Sequence, residues 1–328
     1  MDLEKTLAEI KELDFKEIMK PFWEQAISTF PDAGNIPFLD PAQYKAAREF
    51  AGFSADIDPD LEKTANIVKN SRSLSLIAWY IYWRCFECPD RTGIKWPEML
   101  NALGDRAGIF WLLLTLAWIP RLRAYHKSLG IPEKITRETA LEAYCFSLNY
   151  KMANAGRIGI FHKQYLWFRS YLADNLYFRI GRFEYWLKPF YFDFTVFRHV
   201  GTGQIKALAG PGHKITPEGF IDGLSNSPNP DTECTTALYM DNKTAEGYPI
   251  SPFGTIEKKK ITLPLTEWTV VLKKADQVLD MHIPAGGKMD HEKCGKSMQR
   301  AIKFFQTRFP EKKPSAIVCS SWMFSPLL

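Results

Sequence analysis

The sequence predicts an α+β protein in which a helical N-terminal domain is followed by a mixed α/β domain. Three observations carry this. Apolar residues recur at helical spacing from Asp2 to about Asn175, and runs dense in aromatic and β-branched residues begin at Leu176. From Val278 to Trp322, a strand, a glycine loop, a helix and a second strand follow one another.

The bulk properties bound the function classes. A chain of 328 residues suggests roughly two domains of ordinary size. Hydrophobic residues at 46% and charged residues at 24% are globular values, far from a disordered composition. Basic residues number 42 against 37 acidic ones; this evenly spread net charge of +5 is too mild for a nucleic-acid footprint, yet compatible with a phosphate-bearing small ligand. The opening Met1-Asp2-Leu3-Glu4-Lys5 has neither the basic nor the apolar segment of a secretory signal. The longest apolar run, Ile109 to Ile119, has eleven residues, where a bilayer span needs about 20. Six cysteines in a chain this large read as reduced thiols in a cytoplasm. Cys85 and Cys88 form a C-x-x-C without the second pair that a structural zinc site requires. These features predict no membrane segment, no nucleic-acid partner and no metal.

In the helical part, Leu3, Leu7, Ile10 and Leu13 share one face, and Phe15, Ile18, Met19 and Phe22 continue after a break of phase. Asp40-Pro41 and Asp58-Pro59 each pair an N-cap residue with a proline suited to the first helical position. The second of these opens a segment running toward Cys88-Pro89, whose Trp79, Tyr80, Trp83 and Phe86 read as a core stripe. A buried helix is expected over Ile109 to Ser128, kinked at Pro120 and stopped at Gly130. Ile131-Pro132-Glu133-Lys134 reads as a joint, giving domains of residues 1–130 and 131–328. Helices over Thr136 to Ala153 and Ile160 to Ala173 follow.

Leu176 to Leu187 then reads as strand. Phe192 to Val200 alternates and returns through Gly201-Thr202-Gly203 into Ile205 to Ala209, a hairpin. Gly201 to Thr255 holds eight Gly and six Pro and reads as a long irregular insertion. Ile261 to Leu263 is strand-like, and Thr266 is placed to cap a short helix through Leu272.

Val278 to Ile283 reads as a strand ending at Pro284, with Gly286-Gly287 as its loop. Asp290 caps a helix whose apolar positions are Cys294, Met298, Ala301, Ile302, Phe305 and Phe309, and Pro310 stops it. Ala316 to Trp322 supplies a second strand, so the two strands should run parallel. Such units bind ligands beyond the carboxyl ends of their strands, where helix N–H groups favour phosphate. Lys288, Lys293 and Lys296 add positive charge there, and Glu292 subtracts some. Val278, Asp280 and His282 share one strand face. A strand buried on both faces should be continuously apolar, so Asp280 and His282 need a reason. A hydrogen-bonded core histidine is the ordinary one; its place at the carboxyl end makes His282 a site candidate.

The stretch Asp280-Met281-His282-Ile283-Pro284, the Gly286-Gly287 loop, Ser297, Ala301, Phe304-Phe305 before Phe309-Pro310, and Cys319-Ser320-Ser321-Trp322 resemble bacterial GNAT-like acyltransferases. These join a helical N-acyltransferase N-terminal domain to a GNAT-like C-terminal domain. Phe178 to Glu184 is similar to another segment of that family, and the helical half resembles it more weakly. The resemblance implies a GNAT-like mixed α/β domain, acyl-CoA or acetyl-CoA as co-substrate, and pantetheine lying along the strand that ends at Pro284. The R/Q-x-x-G-x-G/A phosphate loop of ordinary GNAT enzymes is not found between Pro284 and Asp290.

Two function classes follow, and a third is weaker. In the first, an acyl-CoA-dependent transferase acts on a small amine. His282 is its base, Asp280 orients that base, and Glu184 is a second candidate base. Backbone N–H groups near Ile283 and Gly286 face the oxyanion. Gly286, Gly287 and Lys288 bind the cofactor, and Ser320 and Ser321 meet substrate or leaving group. In the second, the same fold binds CoA or another small ligand without catalysis. In the third, Cys319 or Cys294 is a nucleophile. A helix N-terminus lowers a thiol pKa, but Cys294 falls on the apolar stripe. A metal site from His282, His291 and Cys294 is the weakest reading. The chain closes on Ser325-Pro326-Leu327-Leu328, where the family's fold would add a helix and two strands. The expectation is an incomplete sheet, or a partner such as a second copy that completes it.

Overall fold

The computed structural model describes residues 2–31, 35–90, 95–168, 171, 175–221 and 234–321. The chain divides into two compact units, residues 1–184 with 284–297, and residues 185–283 with 298–328. A helical region followed by a sheet-rich region makes the protein α+β.

The first unit opens with helices α1 (Leu3–Glu9), α2 (Lys16–Ser28), α3 (Pro41–Phe50), α4 (Asp58–Asn70) and α5 (Arg72–Phe86). There follow α6 (Leu100–Leu103), α7 (Ala107–Leu116), α8 (Trp118–Ser128), α9 (Glu133–Ala140), α10 (Glu142–Ala153) and α11 (Tyr165–Phe168). The strand β1 (Leu176–Ile180) comes next. Asp40 caps α3 through Ala42 N at 3.1 Å, with Pro41 as its first residue. The segment opened by Pro59 is broken at Ser71, whose hydroxyl caps α5 through Leu74 N. α7 is buried at every position, because it is apolar all round. Leu100–Ser128 is long and apolar enough to cross a membrane, yet 72% of its apolar window is buried inside the fold.

Gly130 does end α8. It takes φ 65°, and Ile131 N donates to His126 O while Gly130 N donates to Lys127 O, a Schellman closure. The expected domain joint at Ile131 is instead a turn between packed helices, with α9 lying on α8 and on β1. By compactness the division falls at Glu184, about 50 residues beyond the boundary expected near residue 130.

The second unit holds most of β2 (Phe183–Pro189), then β3 (Phe194–His199), β4 (Ile205–Ala209), β5 (Lys214–Ile215), β6 (Cys234–Thr235), β7 (Leu238–Met240) and β8 (Thr244–Gly247). It continues with β9 (Pro249–Ile250), β10 (Ile261–Pro264), β11 (Trp268–Leu272) and β12 (Gln277–His282). The helix α12 (His291–Arg308) and the strand β13 (Ala316–Val318) close the described chain. β2, β12 and β13 are successive neighbours in one sheet, and β12 pairs with β13 in parallel, Asp280 opposite Val318. A second sheet runs β11-β3-β4-β9, all antiparallel, around Phe197, Leu208 and Trp268.

Three expectations change here. Leu176 to Leu187 is two strands turned at Gly181, which takes φ 69°. Thr266 to Leu272 is not a helix: Thr269, Val270 and Val271 belong to β11, which pairs with β3. The region 201–255 is no irregular insertion where described, for it carries β4 to β9. Trp322 to Leu328, on which the expected open edge rests, lie outside the described residues.

Candidate active site

In the second unit, β12 is buried along both faces, with Val278, Leu279 and Met281 in the core. Asp280 sits among them at 4% exposure. A carboxylate there needs compensating partners. Lys188 on β2 forms an ion pair with its Oδ2, and His282 Nε2 lies 3.4 Å from the same oxygen. Burial pushes the Asp280 carboxyl up, but its bonds to His282 and Lys188 outweigh burial and hold it below the ordinary aspartate value. It is therefore ionised. Lys188 Nζ is also 4.6 Å from the Trp186 ring and 4.8 Å from the Tyr191 ring.

His282 is half-buried at the carboxyl end of β12. At 3.4 Å its contact with Asp280 is longer than an ordinary hydrogen bond. Such contacts commonly tighten once substrate is bound. A carboxylate facing Nε2 favours the proton on that nitrogen, which puts the ring's acceptor lone pair on Nδ1. Asp280, His282 and Lys188 thus form one charged array; the sequence reading had singled out only the first two.

Cys319 follows β13 directly. Burial pushes its thiol up, and the charge of Asp280 adds to this. It is a protonated thiol and poorly suited to be a nucleophile. Continuing the register from Asp280 opposite Val318 brings Ser320 level with His282; Ser320 is exposed and Ser321 half-buried. Among the described residues no group of three or more His, Cys, Asp or Glu is disposed to hold a metal ion.

In the first unit lies the loop from Pro284 to Asp290. Gly286 takes φ 84°, and a Cβ there would stand 3.0 Å from Leu148 Cδ1. A Cβ on Gly287 would stand 3.3 Å from Arg182 Nε. Arg182, in the turn between β1 and β2, donates to Pro284 O and Gly287 O at 2.8 Å each, and to Lys288 O at 3.2 Å. Lys288 is exposed. Asp290 Oδ1 caps α12 through Lys293 N at 2.8 Å. Lys296 is ion-paired with Glu292, which offsets part of the positive charge expected at this helix end.

Glu184, expected as a second base, is 2% exposed in the first unit. Tyr171 and Tyr177 both donate to its carboxylate, the latter at 2.8 Å. Burial and then the charge of Glu184 raise Glu142 well above the ordinary carboxyl value. Arg179 Nη1 donates to Glu142 Oε2 at 3.1 Å and to Cys145 Sγ at 2.9 Å. With its oxygens engaged by two phenols, Glu184 is a structural carboxylate and not an accessible base.

Residues 47–172 match the N-acyltransferase N-terminal domain family, and residues 177–328 match the GNAT-like C-terminal domain family. No curated protein matches the chain. Among solved structures, an acyltransferase in complex with decanoyl-CoA and teicoplanin superposes with a TM-score of 0.54 at 15% identity, over 100% of this chain and 75% of its own. An acyltransferase in complex with CoA and 10C-teicoplanin gives a TM-score of 0.55 at 15% identity, with the same coverage. At that identity the likeness is one of fold.

Proposed function

The chain belongs to the family that joins an N-acyltransferase N-terminal domain to a GNAT-like C-terminal domain, and on that footing we propose that it is an acyl-CoA-dependent N-acyltransferase acting on an amine. One observation carries the reading: an ionised, buried Asp280 is held between Lys188 and His282 at the carboxyl end of a parallel strand. An ion array interrupting an apolar strand needs a function to justify it, and acyl transfer supplies one.

The amine nitrogen attacks the thioester carbonyl carbon, forming C–N as C–S breaks. His282 accepts the amine proton on Nδ1, and Asp280 stabilises the imidazolium that results. Lys188 keeps Asp280 ionised and aligned. The backbone N–H of Ile283 meets the developing oxyanion. A hydroxyl of Ser320 or Ser321, or a bound water, relays the imidazolium proton to the departing thiolate, which returns His282 to its neutral form. The loop Gly286-Gly287-Lys288 takes the phosphates of CoA. The fold neighbours were solved with decanoyl-CoA or CoA and with teicoplanin or its 10C form, which supports including decanoyl-CoA and teicoplanin as assay substrates beside acetyl-CoA and small amines.

A non-catalytic CoA binder is the second reading, favoured by the missing glycine pattern between Pro284 and Asp290. Thermal unfolding with free CoA and a series from acetyl-CoA to decanoyl-CoA tests both. A ligand at 100 times its Kd adds about 2.7 kcal/mol to stability, which raises the Tm. No shift with any member contradicts the proposal. A shift without turnover of any amine selects the binder.

A further inference from the structure

Arg182 beside a phosphate loop invites the reading that its guanidinium grips phosphate. The bonds say otherwise. Three of its donors are spent on the carbonyls of Pro284, Gly287 and Lys288, within five residues of one loop. Its own turn is held in place from two sides. Gly181 N donates to Glu138 Oε2 at 2.7 Å. Ser297, on α12, donates to Ile180 O at 2.5 Å and accepts from Phe183 N at 3.2 Å. The guanidinium therefore projects from a fixed base, and its planar fork suits several carbonyls at once.

A trans peptide is planar, and its N–H points opposite to its C=O. If Arg182 draws the carbonyls of Pro284, Gly287 and Lys288 toward itself, the amides of the same peptide units, on Ala285, Lys288 and Met289, turn to the other face. None of those three amides has a protein acceptor among the described residues. Gly287 lets Arg182 come close, since a Cβ there would stand 3.3 Å from its Nε. Gly286 lets the loop lie against α10, beside Leu148 and Cys145.

We infer that Arg182 is a positioning residue: it clamps the carbonyl face of the loop so that the amides of Ala285, Lys288 and Met289 form the anion-binding face for the pyrophosphate of acyl-CoA. This rests on the acyl-CoA reading above. Successive amides aimed at one point make such a concavity without a glycine-rich consensus, which accounts for the unusual loop sequence.

The full chain, Arg182→Lys and Arg182→Ala are compared in two measurements, with Tm as the control for folding. The first is the backbone amide order parameter of residues 284–290 without ligand, which reports loop rigidity directly. The second is the affinity for CoA and for pantetheine, which lacks the pyrophosphate. In both variants, the loop order parameters are expected to fall from about 0.85 to below about 0.6, and CoA affinity to fall about tenfold or more. Pantetheine affinity and kcat at saturating acyl-CoA should stay within about twofold of the parent, a separation that a general loss of structure does not produce. Lys should not rescue, because one ammonium cannot span three carbonyls. Parent-like CoA affinity in Arg182→Lys, or unchanged loop order parameters in both variants, overturns the clamp while leaving the acyl-CoA reading intact. A parent protein that binds no CoA overturns the acyl-CoA reading, and with it the purpose assigned to the clamp.

Discussion

Lys188 and Asp280, 92 positions apart in the sequence, form an ion pair between neighbouring strands of the second unit, with side chains 19% and 6% exposed. His282 shares the same carboxylate oxygen at 3.4 Å. The pair explains how a charged residue is accommodated in β12, and it fixes the edge of the imidazole that Asp280 faces.

Removing either partner alone strands a buried charge. Lys188→Met and Asp280→Asn should each destabilise the protein by about 3 kcal/mol, as breaking one side of a buried pair does. The double variant should lose clearly less than the sum of the two. Denaturant unfolding of the four proteins measures this, and strict additivity would dissolve the pair as an energetic unit.

Acid stability should fall in two windows. His126 is fully buried, and burial alone lowers it to about 4. Between about pH 6.5 and that value the unfolded chain binds a proton that the folded one refuses, so stability declines as pH falls. Over that range the decline from this group is about 3 kcal/mol. Asp280 has a lowered value, so its contribution is present above about pH 4 and is lost as pH falls further. Chemical unfolding at pH 7, 5.5 and 4 checks the first window. His126→Gln, which keeps a polar partner for Thr136, should flatten it.

The buried carboxyls of the first unit should respond unequally to neutralisation. Burial raises Glu142 well above the ordinary carboxyl value, so Glu142→Gln removes a charge that burial penalises and keeps an oxygen acceptor for Arg179. Its stability at pH 7 should stay within about 1 kcal/mol of the parent. Glu184→Gln should cost about 2–3 kcal/mol, because it weakens two phenol hydrogen bonds to a buried carboxylate and turns an amide N–H toward one of those donors. Equal losses in the two variants would contradict this difference.

The two loop glycines should behave differently. Gly286→Ala adds a side chain at φ 84° and 3.0 Å from Leu148, a strain of about 1–2 kcal/mol. Gly287→Val meets only the Arg182 side chain, which can give way. It should lower CoA affinity more than it lowers Tm, and calorimetry on both variants separates these effects.

Much of the site was legible because β12, α12 and β13 are each long or periodic enough to announce themselves. Asp280 and His282 stood out as polar residues in an apolar strand. Lys188 did not, since a lysine in Tyr185-Trp186-Leu187-Lys188 reads as the end of an aromatic strand, and nothing local shows that Asp280 is its partner. Arg182 was hidden for the same reason, its carbonyl partners lying more than 100 residues on. Glu184 looked like a base because burial by Tyr171 and Tyr177 has no signature in its neighbours. Strands as short as β5, β6 and β9 carry too few residues for a period of two to be read, so the region around them looked irregular. The turn at Gly130 looked like a domain joint because a helix stop and a linker use the same residues.

The central claim is that His282, aligned by Asp280, takes the proton from the attacking amine. Steady-state turnover by His282→Ala, set beside its calorimetric affinity for CoA, tests this most directly. The account predicts a fall in kcat of about 100- to 10,000-fold, with CoA affinity within about twofold of the parent. A variant that turns over at the parent rate would contradict it and leave His282 a core histidine beside a buried ion pair.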